Sequence, residues 1–272
     1  MRDAIDGRAA RVEFGGVAWR RWGEGRAGAA PLVLLHGGAG SWTHWIRNID
    51  ALSAGRTTWI PDLPGLGESA LPPPPRDHEA VAAALLPGLE HVLPQGVFDL
   101  VGFSFGGIVA GCIAARRPGR VRSLVLVGAG GLGLRKGQAS ILRSWRHLPE
   151  GAEREAAHRH NLGALMFSTP ARIDALALSL YTRDLLRTRI NSARSSKADP
   201  LLPLLPSLGI PVHGIWGRHD ITARGRFDEI GALLRGAHPG ARLHVVEDSG
   251  HWVQYEQAAA FDRALLGLLE GH

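Results

Sequence analysis

The chain has 272 residues, enough for one substantial core, and its content of 45% apolar and 21% charged residues is ordinary for a soluble globular protein. The net charge of +6 does not indicate nucleic-acid binding, because the basic residues are dispersed singly among acidic ones. The single cysteine, Cys112, excludes an internal disulfide framework and a multi-cysteine metal site. The N-terminus has no apolar signal segment, so we expect a cytoplasmic protein without a membrane span.

Strand and helix patterns alternate through the first half of the chain. We predict a hairpin over residues 11–22, strands over 32–35, 57–60, 98–103 and 121–127, and helices over 41–54, 77–93 (broken or kinked at Pro87) and 107–115. The central strand runs are apolar on both faces, which is typical of strands buried in a parallel sheet. The alternation therefore predicts an α/β fold with helices on both faces of the sheet.

The pattern changes after residue 127, where no convincing strand follows until residue 210. This stretch predicts helices over 141–148, 153–166 and 171–189; beyond it come a strand over 210–216, a helix over 225–234, a strand over 242–246 and a helix over 257–269. A helical segment inserted into such a sheet is expected to lie above the carboxyl ends of the strands. We therefore predict a core of residues 1–130 and 201–272 and a helical cap of residues 131–200.

The most specific motif is G-x-S-x-G at residues 102–106, between a strand run and a helix of small residues. At such a junction it marks a nucleophile elbow, where a Cβ at either glycine would collide with its neighbours. The turn exposes the serine hydroxyl at the positive end of a helix. Ser104 is therefore a candidate nucleophile, although the motif alone is also compatible with a glycine-rich turn before a buried helix.

A serine nucleophile needs a base, and the base needs an acid that holds its tautomer. On this kind of sheet the chain order is nucleophile, acid, histidine, each after a strand. Asp220 follows the strand at 210–216 and His251 follows the last strand, so the chain supplies the order. Asp248 is a rival acid, but its place three residues before His251 favours a role in the turn.

An oxyanion needs two backbone N–H donors aimed at one point. One is predicted at Phe105, directly after the nucleophile. The other is expected in the glycine-rich loop after the first core strand, with Gly38 as first choice and Ala39 as second, while His36 braces the loop. The loop does not indicate a phosphate site, because no Lys-Ser/Thr pair and no dinucleotide-binding glycine pattern accompanies it.

Taken together, these motifs resemble the α/β-hydrolase superfamily from about residue 12 to residue 269. The resemblance is carried by His36-Gly37-Gly38, the turn at 61–69, the Ser104 elbow, Gly217-Arg218-His219-Asp220 and Gly250-His251-Trp252. It implies an eight-stranded, mostly parallel sheet with a helical cap, and a Ser104/Asp220/His251 triad that works without cofactor or metal. Serine at the elbow argues against members that use aspartate there, such as epoxide hydrolases and haloalkane dehalogenases.

Within the superfamily the chain is similar to the carbon–carbon bond hydrolases that cleave ring-fission products of aromatic compounds. The similarity rests on His36-Gly37-Gly38, Ser41-Trp42, Arg47-Asn48 and the tryptophan after His251. The chain departs from them in a shorter glycine-rich loop, and in Phe103 and His44 where they carry asparagines. The prediction is therefore an ester hydrolase, with C–C cleavage of a vinylogous diketone, acyl transfer or low-turnover binding as alternatives.

A small carbonyl compound is the expected partner, and the sequence leaves monomer and dimer open. The predicted apolar wall of its pocket comprises Trp42, Trp45, Phe103, Phe105, Trp145 and Trp252. Arg187 or Arg189 is predicted to bind a substrate carboxylate or enolate, as a cap arginine does in the resembling enzymes. Arg187 and Arg194 lie two helical turns apart if the helix is unbroken. The alternative is a solvated face that pairs with Asp184 and Asp174.

Overall fold

The computed structural model describes residues 1–26, 28–134, 142–196, 198–223 and 225–270. Its strands are β1 (Ala10–Phe14), β2 (Val17–Trp22), β3 (Leu32–Leu35), β4 (Thr58–Pro61), β5 (Phe98–Phe103), β6 (Val121–Val127), β7 (Val212–Gly217) and β8 (Leu243–Val246). They form one sheet in the order β1-β2-β4-β3-β5-β6-β7-β8. β2 pairs antiparallel with β1 and β4, and all other neighbours pair in parallel. The predicted eight-stranded, mostly parallel sheet is confirmed.

Helices follow most of the strands. They are α1 (Arg2–Asp6), α2 (Ile49–Ser53), α3 (His78–Val92), α4 (Phe105–Arg116), α5 (Ala152–Leu165), α6 (Ala175–Leu186), α7 (Ser192–Ser196), α8 (Leu201–Leu204), α9 (Phe227–Ala237), α10 (Val253–Glu256) and α11 (Ala258–Leu269), with 3-10 turns at Trp42–Trp45, Pro170–Arg172 and Leu205–Ser207. α3 runs through Pro87 as one helix. None of the helices in the described ranges combines the length and apolarity needed to cross a bilayer.

Two apolar layers cover the two faces of the sheet. Along β6, Leu124 and Leu126 belong to one core cluster, whereas Val125 and Val127 belong to the other. Helices α3, α4 and α9 pack into the first cluster, and α2 and α11 pack into the second. Because successive side chains of a strand point to opposite faces, strands buried on both sides must be apolar throughout, as the sequence shows.

The turn at 61–69 is held against the sheet by a buried arginine of β2. Arg20 is 1% exposed, and its guanidinium donates to Asp6, Asp62 and Glu68. Hydrogen-bonded partners on three sides compensate the buried charge. Asp62 also accepts from the backbone N–H of Trp42 at 2.8 Å, so the turn is connected to the loop after β3.

Residues 131–200, here called the insertion, lie between β6 and β7, and their described part contains no strand. The predicted helix at 141–148 is wrong for residues 142–148, which form a loop and turn; residue 141 lies outside the described residues. The side-chain amide of Asn161 binds both the N–H and the carbonyl of Arg143, at 2.7 and 2.9 Å, in place of helical partners. The division into core and cap stays a prediction.

Two further predicted helices are split. The segment 41–54 forms a 3-10 turn and α2, because the backbone bonds of its first half span three residues, as in Ile46 N–H to the Thr43 carbonyl and Asn48 N–H to the Trp45 carbonyl. The segment 171–189 is a 3-10 turn followed by α6. Asp174 caps α6 through a 2.7 Å bond from Ala177 N–H, which fixes a new helix start inside the predicted one.

Candidate active site

Ser104 lies at the sharp junction between β5 and α4. Its backbone has φ 53° and ψ −114°, a conformation that costs about 1–3 kcal/mol and concentrates at functional sites. A Cβ on Gly102 would lie 2.5 Å from Gly107 Cα, and one on Gly106 would lie 2.4 Å from the His36 carbonyl oxygen. Both glycines are therefore required for the elbow to approach its neighbours this closely.

A chain of hydrogen bonds runs from Ser104 into the protein. His251 Nε2 lies 3.0 Å from Ser104 Oγ, and His251 Nδ1 lies 2.9 Å from Asp220 Oδ2. The second Asp220 oxygen accepts from the N–H and the hydroxyl of Thr222, both at 2.7 Å. A carboxylate at Nδ1 holds the hydrogen there and leaves Nε2 as the acceptor facing the serine. The structure thus brings the three predicted residues together, and adds Thr222, which no motif marked.

Two backbone N–H groups near Ser104 are unoccupied donors. Within the described residues, neither Gly38 N–H nor Phe105 N–H donates to a protein acceptor. A Cβ on Gly38 would lie 3.6 Å from Phe105 Cβ, so the two segments are close. His36 braces the loop by donating from Nδ1 to the Gly37 carbonyl at 2.8 Å and accepting Leu63 N–H at Nε2, also at 2.8 Å.

A cavity of about 450 Å³ lies beside Gly38. The core contributes Gly38, Ala39 and His44 to its wall. The insertion contributes Leu142, Arg143, Ser144, Trp145, Arg146, Asn161, Leu165, Met166, Tyr181 and Leu185. A larger cavity, of about 850 Å³, is lined only by residues between 150 and 187 and includes no part of the core sheet.

Residues 30–258 match the sequence model of the family described as alpha/beta hydrolase fold. The chain belongs to that family. It is 30% identical to a 2-hydroxy-6-oxononadienedioate/2-hydroxy-6-oxononatrienedioate hydrolase of Paraburkholderia phymatum, over 98% of this chain and 96% of the relative. It is 31% identical to the dihydrolipoyllysine-residue acetyltransferase component of an acetoin cleaving system of Pseudomonas putida, over 96% and 69%. The enol-lactonase of Burkholderia xenovorans shares the fold, with a TM-score of 0.71 and 23% identity over 96% and 100%.

Of the predicted aromatic wall of this hydrolase, Trp145 lines the cavity beside Gly38. Phe103 and Trp252 are buried, and both pack on His44, with ring centroids 5.3 and 5.1 Å away. The Phe103 ring also lies 4.9 Å from the His251 ring. The indole of Trp252 donates to the His44 carbonyl at 2.9 Å. These two side chains support the residues around the nucleophile and do not line the cavity.

Trp42 and Trp45 lie in the hydrophobic core and do not line the cavity. Trp42 packs 5.5 Å from Trp22, and Trp45 packs 5.9 Å from Phe261, both measured between ring centroids. Their exposed fractions are 2% and 0%. The 3-10 turn directs both rings inward, so the structure gives them a packing role in place of the predicted substrate contact.

Arg187 and Arg189 connect the insertion to the turn at 61–69. Arg187 donates to Glu68 at 3.2 Å, and the Arg189 guanidinium donates to the Ser69 carbonyl. Neither side chain lines the cavity beside Gly38. The condition for a shared helical face of Arg187 and Arg194, an unbroken helix, is not met, because α6 ends at residue 186.

Among the described residues, the cations that line the cavity are Arg143 and Arg146. The Arg146 guanidinium lies 4.7 Å from the ring centroid of Trp145, and neither arginine has an acidic partner among the described residues. No motif marked these two arginines, and the loop at 142–148 directs their side chains differently from the helix predicted at 141–148.

His44 was also missed as a site residue. Its Nδ1 accepts Gly37 N–H at 3.1 Å, which places the ring hydrogen on Nε2, and the ring lines the cavity. Burial lowers the pKa of His44 well below its ordinary value, and the nearby His36 and His251 lower it further. The imidazole is therefore neutral at physiological pH.

Among the described residues, His78, Glu79 and Cys112 place possible metal-ligand atoms within 4.8 Å of one another. Burial raises the pKa of the Cys112 thiol to about 12, and Arg116 is paired with Glu79. A protonated thiol and a neutralised carboxylate are poor ligands, so these residues do not fit a metal centre.

Proposed function

We propose that this hydrolase cleaves a carboxylic ester, or a similar acyl bond, of a small hydrophobic substrate through an acyl-enzyme on Ser104. The observation that carries the proposal is the continuous hydrogen-bonded chain Ser104–His251–Asp220 at a strained elbow. A serine hydroxyl becomes nucleophilic when a base takes its proton, and the acid keeps the base in the required tautomer.

In the first half-reaction, His251 Nε2 takes the Ser104 proton as Oγ bonds to the acyl carbon. The negative charge moves to the carbonyl oxygen, where the Gly38 and Phe105 N–H groups donate to it. The bond to the leaving oxygen then breaks, and His251 returns the proton to the departing alcohol. In the second half, His251 takes a proton from water as the water oxygen bonds to the acyl carbon. The bond from that carbon to Ser104 Oγ then breaks, His251 returns the proton to Oγ, and the carboxylic acid is released.

The primary test is Ser104→Ala on p-nitrophenyl acetate, with labelling of the wild type by a fluorophosphonate. We expect kcat to fall about four to six orders of magnitude in the variant, by analogy with other triads. Labelling of Ser104 in the wild type is expected too. Wild-type turnover by Ser104→Ala would refute the acyl-enzyme, and an unlabelled, inactive wild type would favour a binding protein. Ester products formed when alcohols are added would indicate acyl transfer.

A second candidate is C–C bond hydrolysis of an acidic vinylogous diketone. Two observations favour it: the cavity carries Arg143 and Arg146 without acidic partners, and a 30% identical relative is named for dioate substrates. Arginine binds carboxylates in a bidentate manner.

The test compares Arg143→Gln and Arg146→Gln on a neutral ester, a carboxylate-bearing ester and a vinylogous diketone, with Arg187→Gln as control. A loss of kcat/KM of about 10- to 100-fold in Arg143→Gln or Arg146→Gln on the two acidic compounds, with no loss on the neutral ester, supports this candidate. Variants that keep the wild-type rate on all three compounds refute it.

A further inference from the structure

The loop at residues 37–44 carries Gly38, the proposed oxyanion donor, and is held by one bond within the loop and by contacts from outside it. From within, His44 Nδ1 accepts Gly37 N–H at 3.1 Å. From the core, Asp62 accepts Trp42 N–H at 2.8 Å. These two bonds hold the loop at Gly37, Trp42 and His44. The segment between residues 37 and 42, which includes Gly38, is positioned by further contacts from the insertion.

The third set of contacts comes from the insertion. Oδ2 of Asp184, in the last turn of α6, accepts from the Ser41 hydroxyl at 3.0 Å and the Thr43 hydroxyl at 2.9 Å. Those two hydroxyls also lie 2.8 Å apart. One carboxylate oxygen of the insertion therefore binds two hydroxyl side chains of the loop that lie two residues apart.

Burying the Asp184 carboxylate costs more desolvation free energy than a side chain that only packs would need. It is 4% exposed, and among the described residues no cation lies within ion-pair distance of it. Burial and the charge of Asp62 raise the pKa of Asp184 to about 7, and the hydrogen bonds from Thr43 and Ser41, with the charge of Arg183, offset this only in part. A pair of apolar side chains here would avoid that desolvation cost.

The insertion touches the same loop a second time, at Gly38 itself. A Cβ on Gly38 would lie 2.1 Å from Ser192 Oγ and 2.8 Å from Ser192 Cβ. The Ser192 side chain, at the start of α7, therefore occupies the space beside the proposed donor. Asp184 and Ser192 together bring the insertion against both halves of the loop.

We infer that Asp184 is a positioning residue, which binds Ser41 and Thr43 and so holds the 37–44 loop in the form that presents the Gly38 N–H to the oxyanion. The inference rests on the proposed function, in which Gly38 is a donor. The oxyanion site is then complete only when the insertion packs against the 37–44 loop through Asp184. A loop shifted by about 1 Å would still admit substrate but would stabilise the oxyanion poorly.

The test compares ground-state and transition-state binding in Asp184→Ala. We measure kcat and KM on a neutral p-nitrophenyl ester, and the affinity for a trifluoromethyl ketone, whose serine adduct places an oxyanion between the donors. We expect kcat and ketone affinity to fall together by about 10- to 100-fold, with KM within about twofold. Asp184→Asn should recover most of the loss, since its amide oxygen accepts the same two bonds.

The partner side of the contact gives a matched variant. Ser41→Ala combined with Thr43→Val should match the loss in Asp184→Ala, and joining all three changes should add nothing further. Asp174→Ala removes the carboxylate that caps the same helix and serves as the control; its kcat should stay near wild type. Thermal unfolding shows whether each variant is folded. If Asp184→Ala does not fold, the kcat and ketone affinity of Ser41→Ala/Thr43→Val test the positioning role.

The possible failures are distinguishable. A folded Asp184→Ala with wild-type kcat and ketone affinity overturns the positioning role, while an inactive Ser104→Ala leaves the proposed function intact. Equal loss in Asp184→Ala and Asp184→Asn also contradicts the inference, because the hydrogen bonds would not be what matters. Wild-type turnover by Ser104→Ala refutes the proposed function, and the positioning role of Asp184 that rests on it is then refuted as well. Parallel changes in KM and kcat would indicate substrate contact instead of positioning.

Discussion

Replacing Asp184 with asparagine changes how the stability of the protein depends on pH. The pKa of Asp184 is raised from 3.8 to about 7 because the carboxyl is buried near Asp62. As pH rises through this window, the unfolded chain releases its proton while the folded protein keeps it. The stability associated with this group is therefore fully present below about pH 4 and lost as pH rises through 7. Asparagine does not titrate, so the variant lacks this loss.

The magnitude follows from the two pKa values. The full window of about three units corresponds to about 4 kcal/mol, at 1.36 kcal/mol per unit. Between pH 5 and pH 8 the same relation gives about 2 to 3 kcal/mol. We therefore expect the free energy of unfolding of Asp184→Asn, relative to wild type, to rise by about 2 to 3 kcal/mol over that range, with no further rise above pH 8.

Urea unfolding of both proteins at several pH values from 5 to 8.5 measures this difference. The difference between the proteins matters, because other groups titrate equally in both. Asp262→Asn is the matched control: burial raises the pKa of Asp262 to about 6, so its gain should be about half as large and end one pH unit lower. A difference between Asp184→Asn and wild type that does not change with pH would refute the reasoning.

Two further predictions concern the elbow and the acid. Thr222→Val removes one of two bonds to Asp220 Oδ1 and should lower kcat about tenfold with KM unchanged; an unchanged kcat would show that the Thr222 N–H suffices. Gly106→Ala places a Cβ 2.4 Å from the His36 carbonyl oxygen, so unfolding free energy should fall by about 3 kcal/mol or more, measured by urea unfolding; wild-type stability would contradict the required close approach.

The convergence of Ser104, Asp220 and His251 was predictable because parallel strands bring their carboxyl ends to one edge. Each residue follows a strand of that sheet, so chain order and strand pattern fixed their neighbourhood. Thr222 was not predictable in this way. Its role depends on the turn after Asp220, where the N–H and hydroxyl both reach one carboxylate oxygen.

The insertion was predicted less well, since its contacts join residues distant in sequence. Periodicity favoured one helix through residue 189, but α6 ends at residue 186 and the Thr188 hydroxyl donates to the Asp184 carbonyl at 2.8 Å. That early end sends Arg187 and Arg189 toward the turn at 61–69. Likewise, the amide of Asn161 keeps Arg143 out of a helix. A local sequence pattern cannot predict that the side chain of Asn161, 18 residues away, takes the place of a helical hydrogen-bond partner of Arg143.

The polar groups around the cavity divide by their structural origin. The core side contributes backbone N–H groups and His44, whose pKa is held too low for a charge at physiological pH. The cations that line the cavity in the described part of the chain, Arg143 and Arg146, come from the loop of the insertion. The proposed acyl chemistry therefore depends on residues fixed by the sheet, whereas discrimination between neutral and acidic substrates depends on a loop outside it. Substitutions at residues 143 and 146 should then change substrate preference without changing the reaction of Ser104 with a neutral ester.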